Sequence, residues 1–258
     1  MEQVTTPDGI TVSYERYGSG APLVLVHGSL NDHNSAWMMM RPLLEPHFTV
    51  YAVDRRGRGQ TTATEGHTIP DEAKDIAAVI ESIGEPVYLF GHSYGADVSM
   101  VTATLVPDKI RKLVLYEPPL PTAMSHDDLD RLLGILAEGQ TDEFIAEFMR
   151  LGPKIPEEEI KIVRSTPIWQ FLVADASNSA REFPAVRDFD FDPADYSSLP
   201  MPVLLLTGSE SEQSTYATNA LDSAIPQSRV HVFEGQGHVA TALAPQMVAD
   251  AVFSFVAE

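Results

Sequence analysis

A serine flanked by two glycines lies in the segment Gly91-His92-Ser93-Tyr94-Gly95. The apolar run Val87–Phe90 precedes it and a helical pattern over Ala96–Val106 follows, so a strand, a sharp turn and a helix are predicted in succession. In this context a GxSxG motif presents its serine hydroxyl as a nucleophile. Ser93 is therefore the candidate nucleophile, and the alternative is a chance match in an ordinary turn.

The sharp turn makes demands on its neighbours. A serine there adopts strained backbone angles, and the residues two before and two after it must be very small. Gly91 and Gly95 meet this requirement. The turn also begins a helix, so the main-chain N–H of Tyr94 would point to an oxyanion forming beside Ser93.

The composition limits the class of protein. The 258 residues are 44% hydrophobic, which suits one large core, or a core with an insertion, and argues against disorder. With 37 acidic and 17 basic residues the formal charge is −20, which opposes binding to nucleic acid or anionic membranes. The chain has no cysteine, which fits a reducing compartment. There is no signal-peptide pattern at the start and no run of roughly 18 apolar residues, so we expect a cytoplasmic protein.

The predicted turn belongs to an alternating series of strands and helices. Two β-rich runs, Gln3–Thr5 and Thr11–Tyr17, flank a Pro-Asp-Gly turn and predict an antiparallel hairpin. Further strands, the first of them uniformly apolar as in a buried parallel strand, are predicted at Leu23–Val26, Thr49–Val53, Val87–Phe90, Leu113–Tyr116, Val203–Thr207 and Arg229–Phe233. Helices are predicted over Asp71–Ile83 and Ala244–Ala257. This alternation predicts a doubly wound α/β sheet.

The alternation stops between Pro118-Pro119 and Pro200-Met201-Pro202. The signals there are mainly helical and cover Asp127–Leu136, Asp142–Leu151, Glu157–Ser165 and Trp169–Ala176. A long stretch without strands, bracketed by prolines, predicts an inserted helical subdomain. The predicted organisation is a core over residues 1–118 and 200–258 with a helical insertion over residues 119–199.

Four motifs, in this order, resemble those of the α/β-hydrolase superfamily, and the resemblance covers nearly the whole chain. They are His27-Gly28, Asp54-Arg55-Arg56-Gly57-Arg58-Gly59, Gly91–Gly95 and Gly237-His238, which follow the third, fourth, fifth and last strands. The resemblance implies an eight-stranded, mostly parallel sheet flanked by helices, with the hairpin at one edge. It also implies that the helical insertion is a cap domain placed after strand six.

A serine nucleophile needs a base that takes its proton and later returns it. His238 lies in the glycine-rich stretch Gly235–His238, where the resemblance places the catalytic histidine. His27 is expected to make a structural hydrogen bond, and the side chain of His92 to point away from the hydroxyl. The other histidines are expected at the surface or in packing roles: His33, His47, His67, His126 and His231. No pair has HExxH-type spacing, so we expect no metal and no cofactor.

The acid that should orient the histidine is missing from its usual place. Members of the superfamily usually carry an aspartate three residues past a glycine after strand seven, but Ser211 occupies that position here. Glu117, at the end of strand six, is the preferred acid because the end of a central strand holds a carboxylate in fixed geometry. This position resembles the acid of zearalenone-type lactone hydrolases. The alternative acids are Glu210 and Glu212, and Glu117 would then only anchor the insertion.

The resemblance further implies an oxyanion hole formed by the main-chain N–H groups of Ser29 and Tyr94. The three arginines of Asp54–Gly59 suggest an anion site, but we favour a structural loop that holds the chain beside the catalytic turn.

A substrate pocket is expected between the carboxyl ends of the strands and the cap. Apolar residues that are candidates to line it are Leu30, Trp37, Met124 and Trp169. Such a lining predicts a moderately sized apolar substrate, and a cap argues against polymers.

The sequence thus predicts a cofactor-independent serine hydrolase that cleaves a carboxylic ester or lactone through an acyl-enzyme. Its predicted partner is a small apolar substrate, with no nucleic acid and no membrane. One alternative applies the same triad to a carbon–carbon bond or to other non-ester chemistry. Another is a non-catalytic ligand-binding or receptor protein, which the missing aspartate suggests. Epoxide hydrolase and haloalkane dehalogenase chemistry is disfavoured, because those relatives carry an aspartate where Ser93 stands.

Overall fold

The strands of the chain form one sheet in the computed structural model, which describes residues 1–64 and 66–258. They are β1 (Glu2–Thr5), β2 (Thr11–Gly18), β3 (Ala21–Val26), β4 (Phe48–Val53), β5 (Val87–His92), β6 (Ile110–Tyr116), β7 (Val203–Gly208) and β8 (Ser228–Phe233). Within the described residues the sheet has eight strands in the order β1-β2-β4-β3-β5-β6-β7-β8. Strand β2 pairs antiparallel with β1 and β4, and all later pairs are parallel. The predicted fold, with the hairpin at one edge, is confirmed.

Helices connect the strands and cover the sheet. They are α1 (Arg41–Leu44), α2 (Ile69–Ile83), α3 (Tyr94–Leu105), α4 (His126–Ala137), α5 (Thr141–Leu151), α6 (Glu157–Arg164), α7 (Ile168–Ala180), α8 (Phe183–Arg187), α9 (Thr218–Ala224), α10 (Ala240–Leu243) and α11 (Pro245–Ala257). Sequence periodicity missed α1, α8, α9 and α10, because each of them makes less than two helical turns. Among the described residues, no helix is both long and apolar enough to cross a bilayer. The cytoplasmic location stays a prediction.

The sheet is covered on both faces, which explains the uniformly apolar strands. Along β3, Val24 and Val26 pack in one layer with α2, α3 and α9. The alternate residues Leu23 and Leu25 pack in the opposite layer with α1 and α11. Because successive side chains of a strand point to opposite faces, a strand between two helical layers is apolar at every position.

Helices α4 to α8 lie between β6 and β7 in the chain and have a hydrophobic core of their own. Leu132, Phe144, Ile145 and Trp169 belong to this core. Since β6 and β7 are neighbours in the sheet, this helical segment leaves and returns at adjacent strands. The assignment of residues 119–199 as a separate cap domain stays a prediction.

Candidate active site

Ser93 lies between β5 and α3 with φ 55° and ψ −128°, a conformation that residues with a side chain rarely adopt. Its own N–H donates to the carbonyl of Tyr116 at 2.8 Å, which anchors the turn to the neighbouring strand. A Cβ at Gly91 would overlap the carbonyl oxygen of Gly95, and a Cβ at Gly95 would overlap that of Val26. Both glycines are therefore required for the turn to pack against the sheet.

Glu117 and His238 are joined by a hydrogen bond of 2.7 Å between Oε2 of Glu117 and Nδ1 of His238. Glu117 directly follows β6, is fully buried and has a φ of 48°. Its other oxygen accepts hydrogen bonds from Thr207 Oγ1 at 2.9 Å and from the N–H of Gly208 at 2.8 Å. Burial acts to raise the pKa of Glu117, but these hydrogen bonds and the imidazole outweigh it and hold the pKa below its ordinary value. The carboxylate is thus ionised and oriented.

The main chain and ring of His238 are held by aromatic side chains. Its carbonyl oxygen accepts from Nε2 of His92 at 2.9 Å, and the hydroxyl of Tyr116 donates to the carbonyl of Gly237. The ring of Tyr216 stacks on the imidazole with centroids 5.2 Å apart. Burial, aided by the nearby His238, lowers the pKa of His92 to about 3, so His92 is a neutral structural residue.

A cavity beneath the inserted helices is lined by both Ser93 and His238. Its empty space, including the part that is open to solvent, is about 600 Å³. Arg187 is the one Asp, Glu, Lys or Arg residue among the described residues that line it, and the lining is largely formed by Met124, Leu129, Phe148, Phe183, Val186 and Tyr216. The structure thus brings the predicted nucleophile, base and acid together at one mostly apolar cavity.

The alternative acids do not approach His238 through a hydrogen bond. Glu210 is exposed and accepts from Ser209 Oγ at 3.2 Å. Glu212 is also exposed and accepts from Ser214 Oγ at 2.9 Å. Both glutamates therefore serve local turns, and the geometry favours Glu117.

The predicted pocket residues divide between the cavity and the cores. Met124 lines the main cavity, and Leu30 lines a smaller one that also contains Ser93 and His238. Trp37 instead packs against Phe90 in the core between the sheet and α11. Trp169 lies in the core of the inserted helices. The placement of both tryptophans in the pocket is corrected: they are large apolar side chains that anchor helices.

The predicted oxyanion donors flank Ser93. Tyr94 begins α3, and Ser29 lines the cavity with Ser93. Gly28 packs so closely that a Cβ there would lie 2.9 Å from Cβ of Ser93. Gly28 belongs to one of the four motifs, but the need for a residue without a side chain at this position was not predicted. A glycine directly before a predicted oxyanion donor is the sequence signal that could have indicated it.

Arg55 sets the direction of the loop before Ser29. Its Nε donates to the carbonyl of His27 at 2.8 Å and its Nη2 to the carbonyl of Gly28 at 3.1 Å. In a trans peptide the N–H points opposite to the C=O, so the N–H of Ser29 points away from Arg55. The Asp54–Gly59 segment is thus a structural loop, as we favoured.

Four buried charged residues form a cluster beside the loop that contains His27, Gly28 and Ser29. They are Arg55, Arg58, Glu72 and Glu182. Nη1 of Arg55 lies 3.0 Å from Glu72 and 2.6 Å from Glu182, and Arg58 also pairs with Glu182. Glu72 and Glu182 were not predicted as residues of the site, because a local sequence pattern does not show that a carboxylate will be buried. We call these four residues the charge cluster.

The remaining histidines near the site have structural partners. His27 accepts from the N–H of Arg55 at 3.3 Å, and its Nδ1 lies 2.8 Å from the carbonyl of Gly28; burial keeps its pKa well below the ordinary value. His33 hydrogen-bonds Asp54 at 2.7 Å, which raises the pKa of His33. The expectation of mere surface or packing roles for His33 and His67 is corrected, since each is paired with a carboxylate.

His67 and the two carboxylates of the charge cluster form a group that could in principle hold a metal ion. His67, Glu72 and Glu182 place one potential ligand atom each within 4.8 Å of one another. However, both carboxylates already face the guanidinium of Arg55 at 3.0 and 2.6 Å. Two arginines supply the positive charge that a cation would bring, so these residues fit an ion-pair network better than a metal site.

Similarity to known proteins identifies the family of this chain. The sequence profile of the alpha/beta hydrolase family matches residues 23–251, which is most of the chain. The chain belongs to the alpha/beta hydrolase family. The prediction of an enzyme with the α/β-hydrolase fold is thereby confirmed.

Named relatives of this alpha/beta hydrolase are enzymes. A 2-(acetamidomethylene)succinate hydrolase of Mesorhizobium japonicum is 29% identical over 258 residues, covering 96% of this chain and 92% of its own. A bifunctional esterase/perhydrolase of Acinetobacter calcoaceticus is 28% identical and covers 87% of each chain. The solved structure of an enol-lactonase from Burkholderia xenovorans LB400 superposes with a TM-score of 0.83 at 19% identity over the whole of both chains. The last likeness shows the fold alone.

Proposed function

We propose that the protein is a cofactor-independent serine hydrolase that cleaves a carboxylic ester or lactone through an acyl-enzyme. The observation that carries the proposal is the meeting of Ser93 and His238 at one cavity, with His238 hydrogen-bonded to the buried Glu117. A nucleophile, a base and an orienting carboxylate in this relation make up the machinery of acyl transfer.

In the acylation step, Oγ of Ser93 attacks the carbonyl carbon while His238 takes the hydroxyl proton. The ionised Glu117 holds the imidazole by its Nδ1 and stabilises the positive charge that develops on it. The main-chain N–H groups of Ser29 and Tyr94 stabilise the oxyanion, each contributing about 3 kcal/mol. When the carbon–oxygen bond to the leaving group breaks, His238 returns the proton to the departing alkoxide.

In the deacylation step, His238 removes a proton from water, which attacks the acyl carbon. The bond to Ser93 then breaks, Ser93 regains its proton from His238, and the carboxylic acid leaves. A lactone would follow the same course, with its own ring hydroxyl as leaving group.

The cavity favours a small apolar substrate. Its lining is mostly apolar, as in sites that bind small molecules. We assign residues 119–199 as the cap that covers it, which would keep polymeric substrates from Ser93. The similarity to an esterase/perhydrolase supports ester chemistry for this chain.

A fluorophosphonate probe tests the proposal, because it reacts with activated serines. We expect labelling of the wild-type protein and of Ser223→Ala, whose serine is exposed and remote in α9, and none of Ser93→Ala. Hydrolysis of p-nitrophenyl butyrate should fall by about 10⁴-fold or more in Ser93→Ala. A rapidly quenched reaction should also show the butyryl mass on the peptide that contains Ser93. A folded wild-type protein that resists the probe would overturn the proposal and favour the receptor alternative.

A further inference from the structure

The two proposed oxyanion donors are linked through the charge cluster. Oγ of Ser29 donates to Oε2 of Glu182 at 2.9 Å, and the hydroxyl of Tyr94 donates to Oε1 of Glu72 at 2.7 Å. Arg55 joins the two carboxylates through one nitrogen, Nη1. Its guanidinium also lies 4.2 Å from the ring centroid of Tyr94. Both donors are therefore oriented by one buried set of charges.

One member of this set comes from the proposed cap. Glu182 lies between α7 and α8, whereas the other three charges lie in the core part of the chain. Ser179, at the end of α7, accepts a hydrogen bond from the main-chain N–H of Leu30 at 2.6 Å. Leu30 has a φ of 65°, which is strained for a branched side chain and needs such support. The segment from α7 to α8 thus makes hydrogen bonds to Ser29 and Leu30. These two successive residues belong to the loop that follows β3, residues 27–30, which we call the oxyanion loop.

The charges explain why Glu182 matters for geometry as well as for folding. Glu182 is fully buried and neutralises both Arg55 and Arg58, which are themselves buried. Arg55 in turn fixes the carbonyls of His27 and Gly28 that set the direction of the Ser29 N–H. Loss of the Glu182 carboxylate would release the Ser29 hydroxyl and remove one of the two carboxylates that hold Arg55, leaving Glu72.

We propose that Glu182 is a positioning residue of the oxyanion hole, so that the hole is complete only when the cap is docked on the core. The inference rests on the proposed function, since it assumes that Ser29 and Tyr94 hold the oxyanion. Glu182 acts through Ser29 and Arg55 and does not contact the substrate. Cap docking and transition-state stabilisation are therefore coupled.

The main experiment compares Glu182→Gln with a matched control, Asp75→Asn. Asp75 is also buried and pairs with an arginine of the same loop, Arg56, at 2.6 and 3.0 Å, but neither residue bonds the oxyanion loop. We expect Glu182→Gln to lower kcat for p-nitrophenyl butyrate by about 10- to 100-fold with KM changed by less than about threefold. Asp75→Asn should lose stability while kcat stays within about threefold of wild type.

Inhibitor binding separates positioning from a general structural effect. An alkyl trifluoromethyl ketone forms a tetrahedral oxyanion adduct with an active serine, whereas the matching unreactive amide only fills the pocket. In Glu182→Gln, affinity for the ketone should fall by the same factor as kcat, and affinity for the amide should change by less than about threefold. Equal losses for both inhibitors, or wild-type kcat and ketone affinity, would overturn the proposal.

Ser29→Ala provides a second variant if Glu182→Gln does not fold. This change keeps the main-chain N–H and removes only the hydroxyl bond to Glu182. We expect lower kcat and lower ketone affinity. Where Glu182→Gln does fold, adding Ser29→Ala to it should cause no further loss, because the Ser29 hydroxyl acts through its bond to Glu182. Unchanged kcat and ketone affinity in Ser29→Ala would overturn the proposal.

Ser93→Ala separates the failure of this inference from failure of the proposed function. If Ser93→Ala is inactive and Glu182→Gln keeps wild-type kcat, only the role of Glu182 is lost. If Ser93→Ala keeps wild-type activity, the proposed function falls and the inference falls with it.

Discussion

At the scale of single residues, Glu117 shows how a carboxylate can serve His238 from an unusual place in the chain. The residue that directly follows β6 has limited freedom, since the strand pairs on both sides and the carboxylate has three hydrogen-bond partners. An exposed loop glutamate would need a longer reach and would lose more side-chain entropy when it binds the imidazole. In the proposed triad, Glu117 at this buried strand end therefore takes the role that the resemblance assigns to an aspartate at the position of Ser211.

Substitution of Glu117 tests this assignment. Glu117→Gln should reduce kcat for p-nitrophenyl butyrate by about 10³- to 10⁴-fold, because an amide can neither orient nor stabilise the charged imidazole as a carboxylate does. Glu210→Gln, at an exposed alternative position, should stay within about twofold of wild type. Steady-state kinetics of the two variants decides between them, and a large loss confined to Glu210→Gln would move the acid to the loop after β7.

Asp97 is a second buried carboxyl group, and it has no role in the proposed mechanism. It lies in α3 one turn after Ser93, is fully buried, and neither oxygen has a hydrogen-bond partner among the described residues. Burial raises its pKa well above the ordinary value and so favours the protonated form of Asp97 in the folded chain. The unfolded chain releases this proton at lower pH, and folding is therefore favoured by acid at this position.

Asp97→Asn should remove this pH dependence. Stability that comes from a raised pKa is present below the unfolded value and is lost as the pH rises toward the folded value. The variant should therefore gain free energy of unfolding relative to wild type as the pH rises from 4 to 8. Urea denaturation at both pH values measures the change. If the difference between variant and wild type is the same at both, Asp97 is not the titrating group.

At the scale of elements, the β5–α3 turn depends on close approach between backbones. The space at Gly95 is filled by the carbonyl oxygens of Val26 and His27 at the end of β3. Neither carbonyl can move without disturbing a strand that pairs on both sides. The turn is therefore specified by missing side-chain atoms as much as by Ser93 itself.

Alanine substitutions at two helical glycines make this cost measurable. Gly95→Ala should lower the free energy of unfolding by more than about 3 kcal/mol or prevent folding, because the new methyl overlaps main-chain oxygen. Gly134→Ala, in exposed α4 where nothing lies within 4 Å of the new Cβ, should stabilise by about 0.5 to 1 kcal/mol. Thermal denaturation compares the two, and a stable, fully active Gly95→Ala would contradict the packing described for the turn.

The elements also show how far the sequence was informative. Some features are encoded by a short stretch of neighbouring residues, and their positions could be predicted to within a few residues. These features are the strands buried on both faces, the helices with a clear hydrophobic period and the glycine-flanked Ser93. The contact of Ser29 with Glu182 joins positions 153 residues apart, and a contact at that separation leaves no local pattern. The placement of Trp37 and Trp169 in the pocket was wrong for a related reason. A large apolar side chain fits a hydrophobic core as well as a pocket, and the sequence alone does not show which of the two it occupies.

At the scale of the whole molecule, the site is assembled from three parts of the chain. Ser93 and Glu117 come from the first part of the core, His238 comes from the second part, and Glu182 comes from the helices between them. The chain has a formal net charge of −20, but the residues that line the cavity are mostly uncharged. The two arginines and two glutamates of the charge cluster add no net charge, and the substrate meets a largely neutral cavity.

The adjacency of β6 and β7 has an evolutionary consequence. Because the intervening helices depart and return at neighbouring strands, recombination between relatives can exchange them without displacing the sheet. Such an exchange would transfer selectivity as a module while the nucleophile, base and acid stay in place. A grafted module without a carboxylate opposite Arg55 and Arg58 would, however, leave Arg55 with Glu72 as its remaining carboxylate partner and remove the pairing of Glu182 with the buried Arg58. The permitted donors are therefore limited to those that bring their own acid to this junction.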